Sequence, residues 1–572
     1  MKHFFSTLFL LLFALSVRAQ TCATPQSGLD LWANNIKALI LNGGSLFTDG
    51  LDGQFIPNPD AQGNGPATIY ASGLWLGGFD PGGNLLLSAN SYRLPDKTDF
   101  WAGPLAPSQL SNPATCANWD RVFSVKGERI KAFLEQLPDF QNNTAAAVAQ
   151  FPEIMGWPAL GNPHFSAVWS FSLPANNSPL AGFVDSNDDD IYNPLDGDYP
   201  AVVLQNKSPF VPAQHVWCVF NDAGAGQPHA TTGRPMGMEV QLSAWAFNCT
   251  DKPELNNTIF TSHKLLNRAP ALYNSIYIGM WTDFDLGCPT DDYIGCLPDL
   301  NTYFAYNQDQ QDGNVGSNCS IGGGNLQTFG NTPPVQSVTF LNHFMDRFIL
   351  QDNPSIGVGS YGVPQTPLQY YNNLNGRFPN GNPIYTGGSG LTPGTPETNY
   401  IFPGDPGDPQ QWSMCTATIP SGDFRALGSS YIGNFPPGGI YELTSAWTTH
   451  EQIPQPCNLG NVKENIGKIR NLFVSDFAGV CSPLLSHVPQ IADKAFFSLA
   501  PNPAHTEIVI TYEDVQVQQV KVFDNAGRLI QQLNTLPEGR VRIPVGAWAS
   551  GMYQVQVISE KGAFTRSFYV NP

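Results

Sequence analysis

The stretches HVWCVFND (215–222), GMEVQLSAWAFN (237–248), TIFTSHKLLNRA (258–269) and YNSIYIGMWTDFD (273–285) decide the fold. Each alternates apolar with polar residues over strand length, and turn-forming residues separate them. Strands recurring at this spacing, without helices between them, point to antiparallel sheets packed as a sandwich and not to βαβ units. The rest of the chain agrees. It carries 55 Gly, 49 Pro and 12% aromatic residues, as expected of short strands joined by many turns. Helical spacing is confined to GERIKAFLEQL (127–137), NTAAAVAQF (143–151) and NVKENIGKIRNLF (461–473). Residues 351–440 are rich in Gly, Pro and Asn with aromatics interleaved, and read as long ordered loop or an insertion rather than a linker. The fold class expected is mainly β: a sandwich body with long loops and few helices, followed by a small C-terminal sandwich.

Residues 1–19 combine Lys2, an apolar run from Phe4 to Leu15 and the small-residue signature ending at Ala19. That is the pattern of a cleaved secretory signal peptide. No later run reaches the roughly 18–20 apolar residues of a membrane-spanning helix. The net charge is −19 with only 13% charged residues, a surface that repels phosphate backbones and argues against a nucleic-acid partner. Ten cysteines without a CxxC pair, in an exported chain, favour disulfides over zinc. Cys288 with Cys296 and Cys457 with Cys481 are the local pairings expected.

Composition breaks near residue 490. The body, 20–494, is expected to hold the acidic excess and all ten cysteines, with a further division near residue 200. Residues 495–572 carry six acidic and six basic side chains and no cysteine. EIVITYE, QVKVFD, RLIQQL, VRIPV, MYQVQVI and TRSFYV read as the strands of an independent Ig-like unit of about eighty residues.

This tail resembles the C-terminal sorting domain of proteins exported by the type IX secretion system of Bacteroidetes. The resemblance lies in LAPNPAHTEIVI (499–510) with Pro501, Asn502 and Pro503, in VKVFDNAGRLI (520–530) with Gly527, and in VGAWASGMYQVQV (545–557) with Gly551 and Tyr553. It implies an address: passage through the type IX machinery, then release or attachment to surface polysaccharide. The end FYVNP departs from the basic ending of many relatives. The body resembles a group of large uncharacterised exported Bacteroidetes proteins in ASGLWLGGFDPGGNL (71–85), TDFWAGPL (98–105), DSNDDDIYNPLDGDYP (185–200) and WTDFDLGCPTDDYIGC (281–296). That likeness implies location and architecture only.

Two acidic stretches carry candidate chemistry. In DSNDDDIYNPLD the oxygens of Asp185, Asn187, Asp189, Asn193 and Asp196 fall at loop positions 1, 3, 5, 9 and 12, with the Ile191 carbonyl at position 7. This is the spacing of a calcium loop. Asp190 replaces the usual Gly at position 6, and Pro194 forbids an ordinary exiting helix, so a helix-free calcium staple fits better than an EF-hand. Its bland alternative is a cluster of solvated Asx turns. The second stretch offers Asp283, Asp285, Asp291 and Asp292 as a possible metal group, against the alternative of acids that face water.

No HExxH, GxSxG or GxxxxGK[ST] is present. His215, His229 and His263 lie in or beside the strands, and Glu239 and Glu254 are conceivable acids, but none is specific. Trp75, Trp101 and Trp281 are candidates for stacking on sugars, with core packing as the alternative. The function expected is a calcium-stabilised structural, adhesive or glycan-contacting surface module, the rival being an extracellular hydrolase of polysaccharide or protein.

Overall fold

The computed structural model describes residues 21–105, 113–174, 179–224, 227–313, 319–321, 324–352, 361–451, 457–478, 480–481, 497–502, 504–512, 517–524, 528–534, 539–559 and 562–571. The signal-peptide segment, Pro503 and Gly527 lie outside these residues. The chain forms two compact units, residues 1–484 and 485–572.

The body is mainly β and is built on two nine-stranded antiparallel sheets. In the second sheet, Gln214–Asn221, Met238–Ala246 and Thr258–Asn267 run as a meander, and Ile440–His450, Val335–Phe340, Thr302–Asn307 and Asp292–Leu297 continue it. Tyr273–Asp283, the fourth stretch quoted above, crosses to the first sheet and lies between Ala71–Phe79 and Phe424–Phe435. Both sheets draw strands from either side of residue 200.

One core fills the space between the sheets, with Leu74, Ile278 and Met280 from the first and Val240, Leu242 and Trp447 from the second. Period-2 geometry sends alternate residues to opposite faces. Along Gln214–Asn221, Val216, Cys218 and Phe220 enter this core while Trp217 and Val219 turn outward. The outward pair meets a layer of short helices that includes Gly127–Phe140, Thr144–Gln150 and Pro152–Met155. The strand is therefore buried along its whole length. On the same sheet Trp245, Phe247 and Phe260 are covered by helix Val462–Val474 through Ile469 and Phe473.

Gly73 lies where the first sheet passes the chain at Asn90. A Cβ there would come within 1.7 Å of the Asn90 carbonyl oxygen, so only glycine fits.

Four disulfides close the body: Cys22–Cys116, Cys249–Cys481, Cys288–Cys319 and Cys415–Cys457. The local pairings expected from sequence are corrected. Cys296 stays free and buried, because strand Asp292–Leu297 extends away from Cys288 at roughly 3.3 Å per residue and turns Cys296 into the core. Cys288 instead meets Cys319 on the facing hairpin. Cys457 and Cys481 take partners far away in sequence, Cys415 and Cys249.

The C-terminal unit is a small Ig-like sandwich. Phe497–Ala500, Glu507–Tyr512 and Arg540–Pro544 form one sheet, and Leu529–Leu533, Val517–Asp524, Gly551–Ser559 and Gly562–Val570 form the other. Ile508, Ile510, Val520, Val522, Val555 and Val557 fill its core. Two of the quoted residues, Tyr553 and Asn502, hold parts of this fold together. The Tyr553 hydroxyl donates to the Ala549 carbonyl at 3.0 Å, with its ring against Trp548. Asn502 accepts from the Tyr569 backbone N–H at 2.8 Å, tying the first strand's exit to the last strand.

Candidate metal centre

Antiparallel register sets Asp283, at the end of Tyr273–Asp283, directly opposite Arg425 at the start of Phe424–Phe435. Arg425 Nε lies 3.1 Å from Asp283 Oδ1, and its Nη1 lies 3.2 Å from Asp423 Oδ1. Tyr92 completes the frame, its hydroxyl donating to Asp283 Oδ2 at 2.7 Å and accepting from Arg425 Nε at 2.9 Å. Two residues beyond the strand, Asp285 brings a third carboxylate. Oxygens of Asp283, Asp285 and Asp423 lie within 4.8 Å of one another.

Three carboxylates thus face one guanidinium. Asp283 is buried, and burial lifts its carboxyl to about 7, with the Asp423 charge adding to the rise and Arg425 opposing it. Burial, then Asp283 and Asp423, push Asp285 well above the usual carboxylate range. The Asp285 carboxylate accepts no hydrogen bond among the described residues. Crowded acids of this kind hold either protons or a cation. Hard oxygen donors in this number suit calcium, which fills its shell of six to eight oxygens with water or ligand hydroxyls where protein groups run out.

The cluster forms one wall of a cleft of ≈ 820 Å³, whose other walls include Tyr70, Tyr92, Arg93 and the turn around Gly50–Gly53. Behind it the rings of Trp75, Trp281, Tyr92 and Tyr70 pack in succession. Trp75, Trp101 and Trp281 are buried. Sugar stacking by these tryptophans is therefore corrected to core packing. The half-buried rings of Tyr70 and Tyr92 are the aromatics that reach the cleft.

The other two acids of the same stretch go elsewhere. Asp292 accepts from the Leu286 N–H at 3.0 Å, Asp291 from Gly313 at 2.8 Å, and Asp312 from Cys288 at 2.8 Å. These acids brace the loops beside Cys288–Cys319. The expected group of four is thereby divided: Asp283 and Asp285 join Asp423, while Asp291 and Asp292 sit near Asp312.

The loop 185–196 is closed by its own hydrogen bonds. Asp185 accepts from the backbone of Asp189 at 3.3 Å and of Asp190 at 2.7 Å, and Asp189 accepts from the Ile191 N–H at 2.8 Å. Asn187 donates to Asp189 at 3.0 Å and Asn193 to Asp196 at 2.6 Å. Beneath the loop, buried Asp198 accepts from Ser186 and Asn193, each at 2.8 Å. Asp190 takes φ 61°, so it makes the left-handed turn that Gly makes in a calcium loop. Pro194–Asp196 is a single 3₁₀ turn. Among the described residues, two groups of His, Cys, Asp or Glu converge within 4.8 Å: Asp283 with Asp285 and Asp423, and Cys249 with Asp251 and Cys481. The second contains a disulfide and offers no thiolate. The loop carboxylates form no such group; Asp185, Asp189 and Ile191 instead line a separate cavity of ≈ 780 Å³ with Phe183, Trp217 and Lys264.

The three histidines have separate surroundings. His215 touches Ser243 at 3.3 Å, and His229 lies 3.5 Å from Asp99. His263 is buried with neither ring nitrogen bonded. Glu239 is buried in an ion pair with Arg268. Sequence reasoning missed Asp423, Arg425 and Tyr92. The signal available was the alternation of Asp423 and Arg425 about Phe424, which puts both on one face of a strand.

No helix among the described residues is long and apolar enough to cross a membrane. No curated protein matches the chain. Among solved structures, a polysaccharide lyase is 7% identical with a TM-score of 0.19, the match covering 71% of this chain and 41% of that one. The BSP domain of a biofilm-associated protein is 8% identical (TM-score 0.12), covering 62% of this chain and 59% of its own. Dimeric latent PorU from Porphyromonas gingivalis is 10% identical (TM-score 0.11), covering 62% and 31%. Residues 498–571 match the secretion system C-terminal sorting domain, and this tail marks the chain as a type IX cargo exported to the cell surface or the medium.

Proposed function

We propose that the exported body is a calcium-stabilised structural or adhesive module that contacts glycans, with Asp283, Asp285 and Asp423 as its principal cation ligands. The observation that carries this reading is the convergence of three carboxylates on the wall of an open cleft, two of them ion-paired with Arg425. A cation there ties the end of Tyr273–Asp283 to the start of Phe424–Phe435 and leaves coordination positions open to sugar hydroxyls, beside Tyr70 and Tyr92. Loop 185–196 is proposed as a second, weaker calcium staple, since an ion must first draw Asp185, Asp189 and Asp196 together.

Calcium added to chelated protein at a hundred times its Kd should stabilise the body by about 2.7 kcal/mol, a rise of several degrees in Tm. Asp285→Asn, which breaks no hydrogen bond among the described residues, should remove most of that rise. Asp185→Ala with Asp189→Ala should remove the remainder. No rise in the parent protein would sink the calcium reading.

The rival reading, an extracellular hydrolase, draws on the same pair. Asp283 and Asp285 have carboxylate oxygens within 4.8 Å of one another and both are shifted upward, nearest to the roughly 5–5.5 Å spacing of the carboxyl pair in retaining glycoside cleavage. Turnover of a polysaccharide that Asp285→Asn abolishes would favour it over the binding module; binding without turnover favours the module.

A further inference from the structure

A smaller cavity of ≈ 360 Å³ lies away from the acidic cleft, between the start of strand Arg347–Asp352, the turn after helix Pro367–Leu374 and the strand Glu397–Thr398. Arg347 and Arg377 both line it, with Asn375, Thr398 and Asn399. We propose that this cavity is a binding site for an oxyanion group, a carboxylate, sulfate or phosphate, carried by a small ligand.

The cavity holds two guanidiniums in a chain with only 27 basic residues against 46 acidic ones. Neither is ion-paired among the described residues. Arg347 Nη1 donates to the Asp346 carbonyl at 2.8 Å and Arg377 Nη1 to the Gly381 carbonyl at 3.2 Å. These bonds fix each group, Arg347 also through a side-chain hydrogen bond with Tyr277, and the remaining fork nitrogens are left for a ligand. Arg347 Nε is buried with no hydrogen-bond partner, so it is the outer nitrogens of this guanidinium that a ligand can reach.

The surroundings hold the site in shape. Gly376 has φ 68°, and a Cβ on it would come within 2.6 Å of Arg347 Cδ, so the arginine stem lies against bare backbone. Asn375 Oδ1 accepts from the Tyr277 hydroxyl at 2.7 Å, which turns its amide nitrogen away from that partner. Glu397 is the one carboxylate in the lining, and it is exposed. A guanidinium fork presents two parallel N–H donors, which match a pair of oxygens on a carboxylate, sulfate or phosphate. The volume is at the small end of ligand pockets, which run about 300–1,000 Å³. The occupant is therefore a small molecule or one acidic residue of a polymer.

The test is calorimetric titration of the oxidised full chain with glucuronate, inorganic sulfate and inorganic phosphate, with glucose as the neutral control. At least one anion should bind, more weakly as sodium chloride is raised, and glucose should not bind. Arg347→Gln with Arg377→Gln should weaken the bound anion tenfold or more, while the calcium response of the acidic cleft is unchanged. The anion that binds identifies the source. Binding of none of the three, or equal binding by the double variant, overturns the proposal. If the double variant loses its native melting transition, Arg377→Gln alone carries the test, and unchanged affinity in it is equally fatal.

Discussion

Reduction is expected to unfold the body and to leave the melting transition of the C-terminal unit in place. All ten cysteines lie upstream of residue 485, and the four bridges close separations of 232, 94, 42 and 31 residues. In the chain-entropy account each removes about 4–5 kcal/mol of freedom from the unfolded chain. Domains are net stable by only about 5–15 kcal/mol, so loss of all four exceeds what the packed sheets hold in reserve. The bridge Cys249–Cys481 carries most, because it ties the last turns of the body to the edge of Met238–Ala246. Calorimetry with and without reductant should show the body transition lost and the tail transition unmoved. Denatured, unreduced protein should titrate two thiols, from Cys218 and Cys296. A body transition shifted by less than about 5 °C on full reduction would contradict this account.

The second large effect is a gain. His263 is fully buried on Thr258–Asn267 between Leu242 and Leu443 on the neighbouring strands. Neither ring nitrogen has a partner, and burial holds its pKa down to about 3. Replacement by leucine removes two unsatisfied polar atoms and should stabilise the body by about 1–3 kcal/mol at pH 7. The sign of the pH dependence follows from the depressed pKa. Below about 6.5 the unfolded state takes up a proton that the folded state refuses, so the histidine costs stability as pH falls towards 3. His263→Leu should therefore gain a further ~2 kcal/mol between pH 6.5 and pH 5, at about 1.4 kcal/mol per pH unit. His215 and His450 have the same depressed values but are present in both proteins, so the difference isolates His263. A variant no more stable than the parent, or a gain that does not grow on acidification, would contradict the burial reading.

Much of the architecture was legible because it is local. Alternation marked strands Gln214–Asn221, Met238–Ala246, Thr258–Asn267 and Tyr273–Asp283, and 3.6-residue spacing marked helices Gly127–Phe140 and Val462–Val474. The tail's composition and motifs identified both its sandwich and its role as an address. What stayed hidden depends on chain crossing. Nothing near Tyr273 announces that this strand leaves the meander for the other sheet. Without that crossing Asp283 cannot be set opposite Arg425, more than a hundred residues away, and the acidic stretch reads as one cluster. The disulfides failed for the same reason. Local spacing suggested Cys288 with Cys296, whereas an extended strand separates them and a later hairpin supplies Cys319. In loop 185–196 the spacing of oxygens was visible, but the backbone N–H groups that Asp185 and Asp189 accept from were not.

Crystals of the oxidised protein soaked in a lanthanide that substitutes for calcium give the most direct test. The account expects an anomalous difference peak within coordinating distance of Asp283, Asp285 and Asp423, absent in Asp285→Asn. An empty position there, with the ion found only in loop 185–196 or nowhere in the body, would contradict it.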